Sequence, residues 1–320
     1  MLLTSYQWVI NEYLINSCIV PEITYNSGFE LTIGIFSVSM KILLTNDDGI
    51  YAPGLAAMEH ALRQLGEVYV VAPSKEQSGV SHSITFLTPL MLKKVFVDNR
   101  HWGWTVDGSP ADCVKLGISE IVPDRPDLVV SGINGGLNAG INIIYSGTVA
   151  AAVEGVFYGI TSIAVSLEYD ENEPFHQAAE WAVDVIRKIL EKKDREPRLY
   201  NINIPLSALR QNRAETRIVG MDVAQYWESF ERRTDPLGRF YYWLTGRPDS
   251  RQPKPVKPVE MTDMTALIQG FIAVTPLNYD MTHQSQLAIM EQWDLNPENK
   301  KAGGDKPART GPTIRTTMKN

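Results

Sequence analysis

The chain has 320 residues, 44% of them apolar and 21% charged, with a formal net charge of −7. That length accommodates one large α/β domain with a sizeable core. The acidic balance argues against a dedicated DNA- or RNA-binding protein, which carries a basic footprint, and the two distant cysteines, Cys18 and Cys113, suggest neither a disulfide framework nor a zinc cluster and fit a reducing cytoplasm.

Residues 1–39 contain no Lys or Arg, so the charged start of a secretory signal is missing. Met40 opens a clean strand and is expected to be the working start, with 1–39 as an extension in front of it; an added strand or arm packing on the domain is the alternative. From there strands and helices alternate. Lys41–Thr45 is an apolar run that ends in Asn46-Asp47-Asp48-Gly49. Pro53-Gly54 leads into a helix with Leu55, Met58, Leu62 and Leu65 on one face. Glu67–Val71 is the next strand and Asp127–Val130 a third, followed by the glycine-rich stretch Ser131–Gly140. A helix is predicted over Thr148–Tyr158, a strand over Ser162–Val165 and an amphipathic helix over Pro174–Glu191. Short, wholly apolar strands alternating with helices predict a parallel sheet covered on both faces.

The pattern changes after residue 205. Residues 214–246 alternate aromatics around Asp235-Pro236-Leu237-Gly238, a turn sequence, and read as a protruding β-hairpin arm. A strand at Gly270–Thr275 and a C-terminal helix over Thr282–Trp293 follow, and 294–320 is a basic tail that reads as disordered on composition. No run is long and apolar enough for a membrane-spanning helix.

In an open parallel sheet, ligands collect beyond the carboxyl ends of the strands. Three polar segments fall at such ends: Asn46–Gly49, Ser74–Ser83 and Ser131–Asn142. Adjacent carboxylates such as Asp47 and Asp48 repel by about 1 kcal/mol at 4 Å in water and about 4 at an intermediate dielectric, a cost that a bound cation converts into attraction. The bland alternative is one helix cap and one solvated carboxylate. Ser78 and Asn134 add neutral oxygens, and an all-oxygen set suits Mg²⁺ or Mn²⁺ over zinc or copper. Ser146, Gly147 and Thr148 precede a helix, where exposed backbone N–H groups make an anion site, although Ser146 and Thr148 serve equally as caps. His82 is a weaker candidate for orienting phosphate or acting as an acid.

Several classes are set aside. The chain lacks G-x-x-x-x-G-K-[ST], G-x-G-x-x-G and G-x-S-x-G, which argues against a P-loop NTPase, a dinucleotide-binding enzyme and an α/β-hydrolase. An aspartyl-nucleophile phosphatase with a second Asp two positions on also fits badly, since Gly49 stands there after Asp47.

Taken together and in order, the segments Leu44–Ile50, Ala52-Pro53-Gly54, Val71-Ala72-Pro73, Gln77-Ser78-Gly79, Gly108–Cys113, Ser131–Gly136, Tyr145–Ala152, Asp235–Arg239 with Tyr241-Tyr242-Trp243, and Val274–Leu277 resemble the survival protein SurE family of nucleotidases. The resemblance runs from Met40 to Trp293. It implies a Rossmann-like three-layer α/β sandwich and a phosphoric monoester hydrolase that takes nucleoside 5′- and 3′-monophosphates. It further implies one divalent cation, Mg²⁺ or Mn²⁺, held by Asp47, Asp48, Ser78 and Asn134, with Asp47 and Asp48 catalytic. Asn46, Asn134, Ser146, Gly147 and Thr148 become the phosphate-binding candidates. It also implies a cytoplasmic homodimer or homotetramer assembled through the hairpin arm and the C-terminal segment, with no membrane and no dedicated nucleic-acid partner. The front extension and the basic tail depart from the pattern and put assembly at those ends in doubt. Two rivals stand beside this reading: a nucleotide sensor that binds without turnover, and an enzyme for another phosphate ester such as polyphosphate or a sugar phosphate.

Overall fold

The computed structural model describes residues 19–24, 32–37, 39–171, 174–212, 214–223, 228–248 and 261–296. Strands β1 (Ile19–Thr24) and β2 (Thr32–Ser37) pair antiparallel as a two-stranded sheet of their own within the front extension. The alternating core then runs β3 (Met40–Thr45), α1 (Pro53–Leu62), β4 (Gly66–Pro73), β5 (Leu92–Val97), β6 (Arg100–Val106), α2 (Pro110–Leu116) and β7 (Leu128–Gly135). It continues through α3 (Gly147–Phe157), β8 (Thr161–Leu167), α4 (Phe175–Lys192), β9 (Leu199–Ile204) and α5 (Leu206–Arg210). The last elements are β10 (Thr216–Ile218), β11 (Glu228–Thr234), β12 (Phe240–Pro248), α6 (Asp263–Ile268), β13 (Ile272–Leu277) and α7 (Gln284–Met290).

Nine strands form one sheet in the order β10-β13-β9-β8-β7-β3-β4-β6-β5. It is parallel throughout except at β9–β13 and β5–β6. Both faces are covered, which explains why the central strands read as continuous apolar runs. Along β3 successive side chains face opposite ways: Ile42 and Leu44 pack with Leu55, Met58 and Leu62 of α1 and with Ala178, Ala182 and Ile186 of α4. Leu43 packs on the other face with Val71, Cys113, Val114 and Ala151, beneath α2 and α3. The three-layer α/β architecture expected from the sequence is present.

Strand order reverses beside β3: β4 lies on one side of it and β7, reached later in the chain, on the other. Such a reversal opens a crevice beyond the carboxyl ends of the two strands that flank it. Here those ends carry Asn46–Asp48 and Asn134, so the topology alone brings two of the three polar segments together.

The structure departs from the predicted elements in several places. Strand β7 does not stop at Val130; it runs on to Gly135 through a register shift between Ser131 and Asn134. Glycines that read as a loop are accommodated because Gly132 has φ +134 and lies so close to β8 that a Cβ there would sit 2.2 Å from Val165 O. Residues 216–218, expected in the arm, form an edge strand paired with β13, and the hairpin proper is β11–β12 with its turn at Asp235–Gly238. The antiparallel pair β5–β6 and the short helix α2 had no counterpart in the reading; α2 is set by Pro110 and by a capping box in which Ser109 and Asp112 bond reciprocally. The chain divides into two compact units, Met1–Tyr279 and Asp280–Asn320. Within the second, the described helix is α7, shorter than the predicted Thr282–Trp293; most of the basic tail lies outside the described residues. Among the described residues no helix is long and apolar enough to cross a membrane.

Candidate active site

The site is held by bonds between loops that are far apart in sequence. Gln77 N donates to Asp47 O at 2.7 Å, locking the loop after β4 to the loop after β3. Ser81 donates through N to Tyr145 O and through Oγ to Ile144 O, joining the same loop to the turn before α3. Asn46 Nδ2 closes its own turn on Gly49 O at 2.9 Å. These bonds surround a cavity of about 240 Å³ whose lining includes Asp47, Ser78, Asn134, Asn138 and Ser146.

Asp47 is only 4% exposed. Its Oδ1 accepts from the Thr148 hydroxyl, and among the described residues no Lys, Arg or His pairs with it. Burial, together with the neighbouring Asp48 charge, outweighs the bonds from Thr148 and pushes its carboxyl up from 3.8 to about 6. Asp48 is half-buried, and its Oδ2 accepts from Gly135 N at 3.2 Å, one residue beyond Asn134. Burial raises its carboxyl too, and Glu76 adds to the rise. Asp47 therefore feels the charge of a second carboxylate, and among the described residues neither pairs with Lys, Arg or His.

The neutral donors are placed differently. Asn134 Nδ2 donates to Gly136 O at 2.6 Å, which leaves Oδ1 as the atom free to act as a donor to a cation. Ser78 Oγ donates to Glu76 Oε1 at 2.7 Å. Ser146 caps α3, accepting from Val149 N at 3.1 Å. Gly147 opens that helix directly against the carboxylate: a Cβ at this position would come 3.0 Å from Asp47 Cβ and 3.1 Å from its Oδ2. The N-terminus of α3 thus abuts Asp47, and the Thr148 backbone N–H bonds that carboxylate. Asn46 Oδ1 is buried and has no hydrogen-bond donor among the described residues. No group of three or more His, Cys, Asp or Glu with metal-holding geometry occurs among the described residues. The lining supplies the Asp47 carboxylate, the Ser78 hydroxyl and the Asn134 amide, and Asp48 stands beside it, bonded to Gly135 N. That chemistry fits a hard divalent cation.

One sequence candidate falls away from the cavity. His82 Nε2 bonds Glu154 Oε2 at 2.8 Å, and its ring stacks on Phe157, so it braces the far part of α3. Sequence reasoning missed the support behind the cavity. Asn138 N donates to Asn203 Oδ1 at 2.8 Å, and Asn201 and Asn203 both donate to Asn138 O. Asp263, wholly buried, accepts from Gly140, Asp222 and Met264 backbone N–H groups at 2.7–2.8 Å. The two asparagines two apart in Asn201-Ile202-Asn203 were the available signal, since they put polar side chains on one face of a buried strand.

Fold and cavity together define a Rossmann-like α/β protein with its ligand crevice at the topological switch point, lined by oxygen donors and a helix N-terminus. The family model described as "Survival protein SurE" matches residues 42–233, and the chain belongs to that family. A "5'-nucleotidase SurE" of Rhodopirellula baltica is 53% identical over 260 residues, covering 81% of this chain and all of that relative. A protein of the same description from Thermoanaerobacter sp. is 39% identical over 259 residues, with 81% and 100% covered. Among solved structures, "Crystal Structure of Sure Protein from Aquifex aeolicus" superposes with a TM-score of 0.67 at 39% identity, covering 78% of this chain and 98% of that one.

Proposed function

We propose that this protein is a divalent-cation-dependent phosphoric monoester hydrolase that releases phosphate from nucleoside 5′- and 3′-monophosphates. The observation that carries the reading is the Asp47 carboxylate: buried, without a cationic partner among the described residues, and set against the head of α3. A buried carboxylate of this kind is costly unless a cation completes it. The descriptions of the relatives support the nucleotidase class.

In this reading Asp47, Asp48, Ser78 and Asn134 hold the cation, which when bound supplies polarisation of a phosphoryl oxygen and a more acidic water. The Gly147 amide at the head of α3 hydrogen-bonds a phosphoryl oxygen as charge develops on it. Asn46 is buried, with its Nδ2 bonded to Gly49 O. The Asp47–Asp48 pair takes a proton from the attacking water as its oxygen bonds to phosphorus and the phosphorus–ester oxygen bond breaks, and that proton is passed on to the departing nucleoside oxygen. Thr148 contributes both its hydroxyl and its backbone N–H to Asp47, holding the carboxylate in place. A neighbouring cleft of about 390 Å³, lined by Lys75, Gln77, Ser83, Thr85 and Asp107 among others, lies along the same loop. It offers hydrogen-bonding groups and volume for a sugar and base.

The test is phosphate release from purine and pyrimidine 5′- and 3′-monophosphates, ribose phosphate and polyphosphate, with Mg²⁺ or Mn²⁺. Asp48→Asn is expected to lose nearly all release with the fold retained. Wild-type rates in that variant at saturating Mn²⁺ would defeat the reading, and tight nucleotide binding without turnover by the wild type would favour a sensor. Assembly is part of the proposal: the hairpin exposes Phe240, Tyr242, Trp243 and Leu244, a patch suited to a second copy. Light scattering on a chain with the hairpin shortened should report a smaller particle.

A further inference from the structure

Two serines line the cavity, and they are bonded in opposite senses. Ser146 accepts through Oγ from Val149 N, so its oxygen serves the cap of α3. Ser78 instead donates, with its Oγ 2.7 Å from Glu76 Oε1. A hydroxyl can turn a lone pair to a cation only when its proton points elsewhere, and Glu76 gives the Ser78 proton a destination. The bond joins two exposed residues of one loop, where such a contact adds little to fold stability because water competes for both groups.

We infer that Glu76 is a positioning residue: by accepting the Ser78 proton it aims the hydroxyl oxygen into the cavity and sets the protein's affinity for a divalent cation. This deepens the proposed function, because it rests on Ser78 being a cation donor. Outer residues that orient metal ligands typically change affinity by about 10- to 100-fold when removed.

The experiment is calorimetric and EPR titration with Mn²⁺ alone, free of nucleotide, on the full chain. It compares wild type, Glu76→Ala, Glu76→Gln, Ser78→Ala and the Glu76→Ala/Ser78→Ala double variant, each checked for native circular dichroism. Glu76→Ala is expected to weaken Mn²⁺ binding by about 10- to 100-fold. Glu76→Gln keeps a carbonyl acceptor and should stay within about threefold of wild type, and the double variant should bind no more weakly than Ser78→Ala alone. Three results would each overturn the inference: an unchanged Glu76→Ala, a Glu76→Gln as weak as Glu76→Ala, or a Glu76→Ala loss that persists in full without Ser78. A wild-type chain that binds no Mn²⁺ would remove the cation reading itself, and that outcome is read independently of the variants.

Discussion

Asp47→Asn offers a test in which function and stability pull apart. The side chain is isosteric, and its amide oxygen can still accept from Thr148. Burial and Asp48 move the Asp47 carboxyl from 3.8 to about 6; at roughly 1.4 kcal/mol per pH unit, that is about 3 kcal/mol. Because the folded value is raised, the protonated carboxyl costs nothing below about pH 4. Stability is then lost as pH climbs through 6 and the buried group must ionise. Asparagine does not titrate, so in metal-free protein the variant should gain on wild type over that window and be about 3 kcal/mol ahead by pH 7.5. For a domain of this size that is a rise in Tm of about 6–12 °C. The assay is urea unfolding of EDTA-treated wild type and variant from pH 4 to 8, repeated with excess Mn²⁺. Manganese should close the gap by stabilising the wild type alone, since ligand binding to the folded state adds stability by mass action. A difference that is independent of pH, or a variant less stable than wild type at pH 7.5 in EDTA, would refute the claim that Asp47 is an uncompensated buried charge.

Gly132→Ala should cost at least about 4 kcal/mol, because the new Cβ would lie 2.2 Å from Val165 O on a backbone with φ +134; a urea midpoint within error of wild type would contradict the close approach of β7 and β8. Asp263→Ala strands the buried backbone N–H groups of Gly140 and Asp222 and the partly buried one of Met264, and at about 1–3 kcal/mol for each buried group it should sharply lower the unfolding midpoint and loosen the loop at Gly140. Hydrogen exchange at Gly140 and Asp222 reads that directly, and unchanged protection there would show that Asp263 is not the anchor.

The centre of the site was legible because two local signals coincide. Asn46-Asp47-Asp48-Gly49 follows a wholly apolar strand, and Ser146-Gly147-Thr148 precedes a helix of small residues; both patterns are contained in a few consecutive positions. The wider fold was legible for the same reason, since β3, α1, β4, α3, β8 and α4 carry clear periodicity. What stayed hidden depends on contacts between distant positions. Asp263 anchors Gly140 across 123 residues, and no local pattern marks it except its place at the start of α6. The continuation of β7 through Gly132-Ile133-Asn134 contradicts strand propensity, because glycine normally weakens a strand; it is allowed only by the close approach of β8. His82 looked like site chemistry between two serines, but the pair of bonds from His82 and Lys115 to Glu154 gives it another task. Burial raises the Glu154 carboxyl, yet these two bonds outweigh it and hold the group below the usual carboxylate range. Cys113 is likewise spent on packing, and burial pushes its thiol up.

Anomalous diffraction from a manganese-soaked crystal probes the account where it is most exposed. One peak per subunit is predicted between Asp47, Asp48, Ser78 and Asn134, at about 2.1–2.3 Å from their oxygens. A crystal with manganese bound elsewhere, or with these four side chains turned away from any common point, would contradict it.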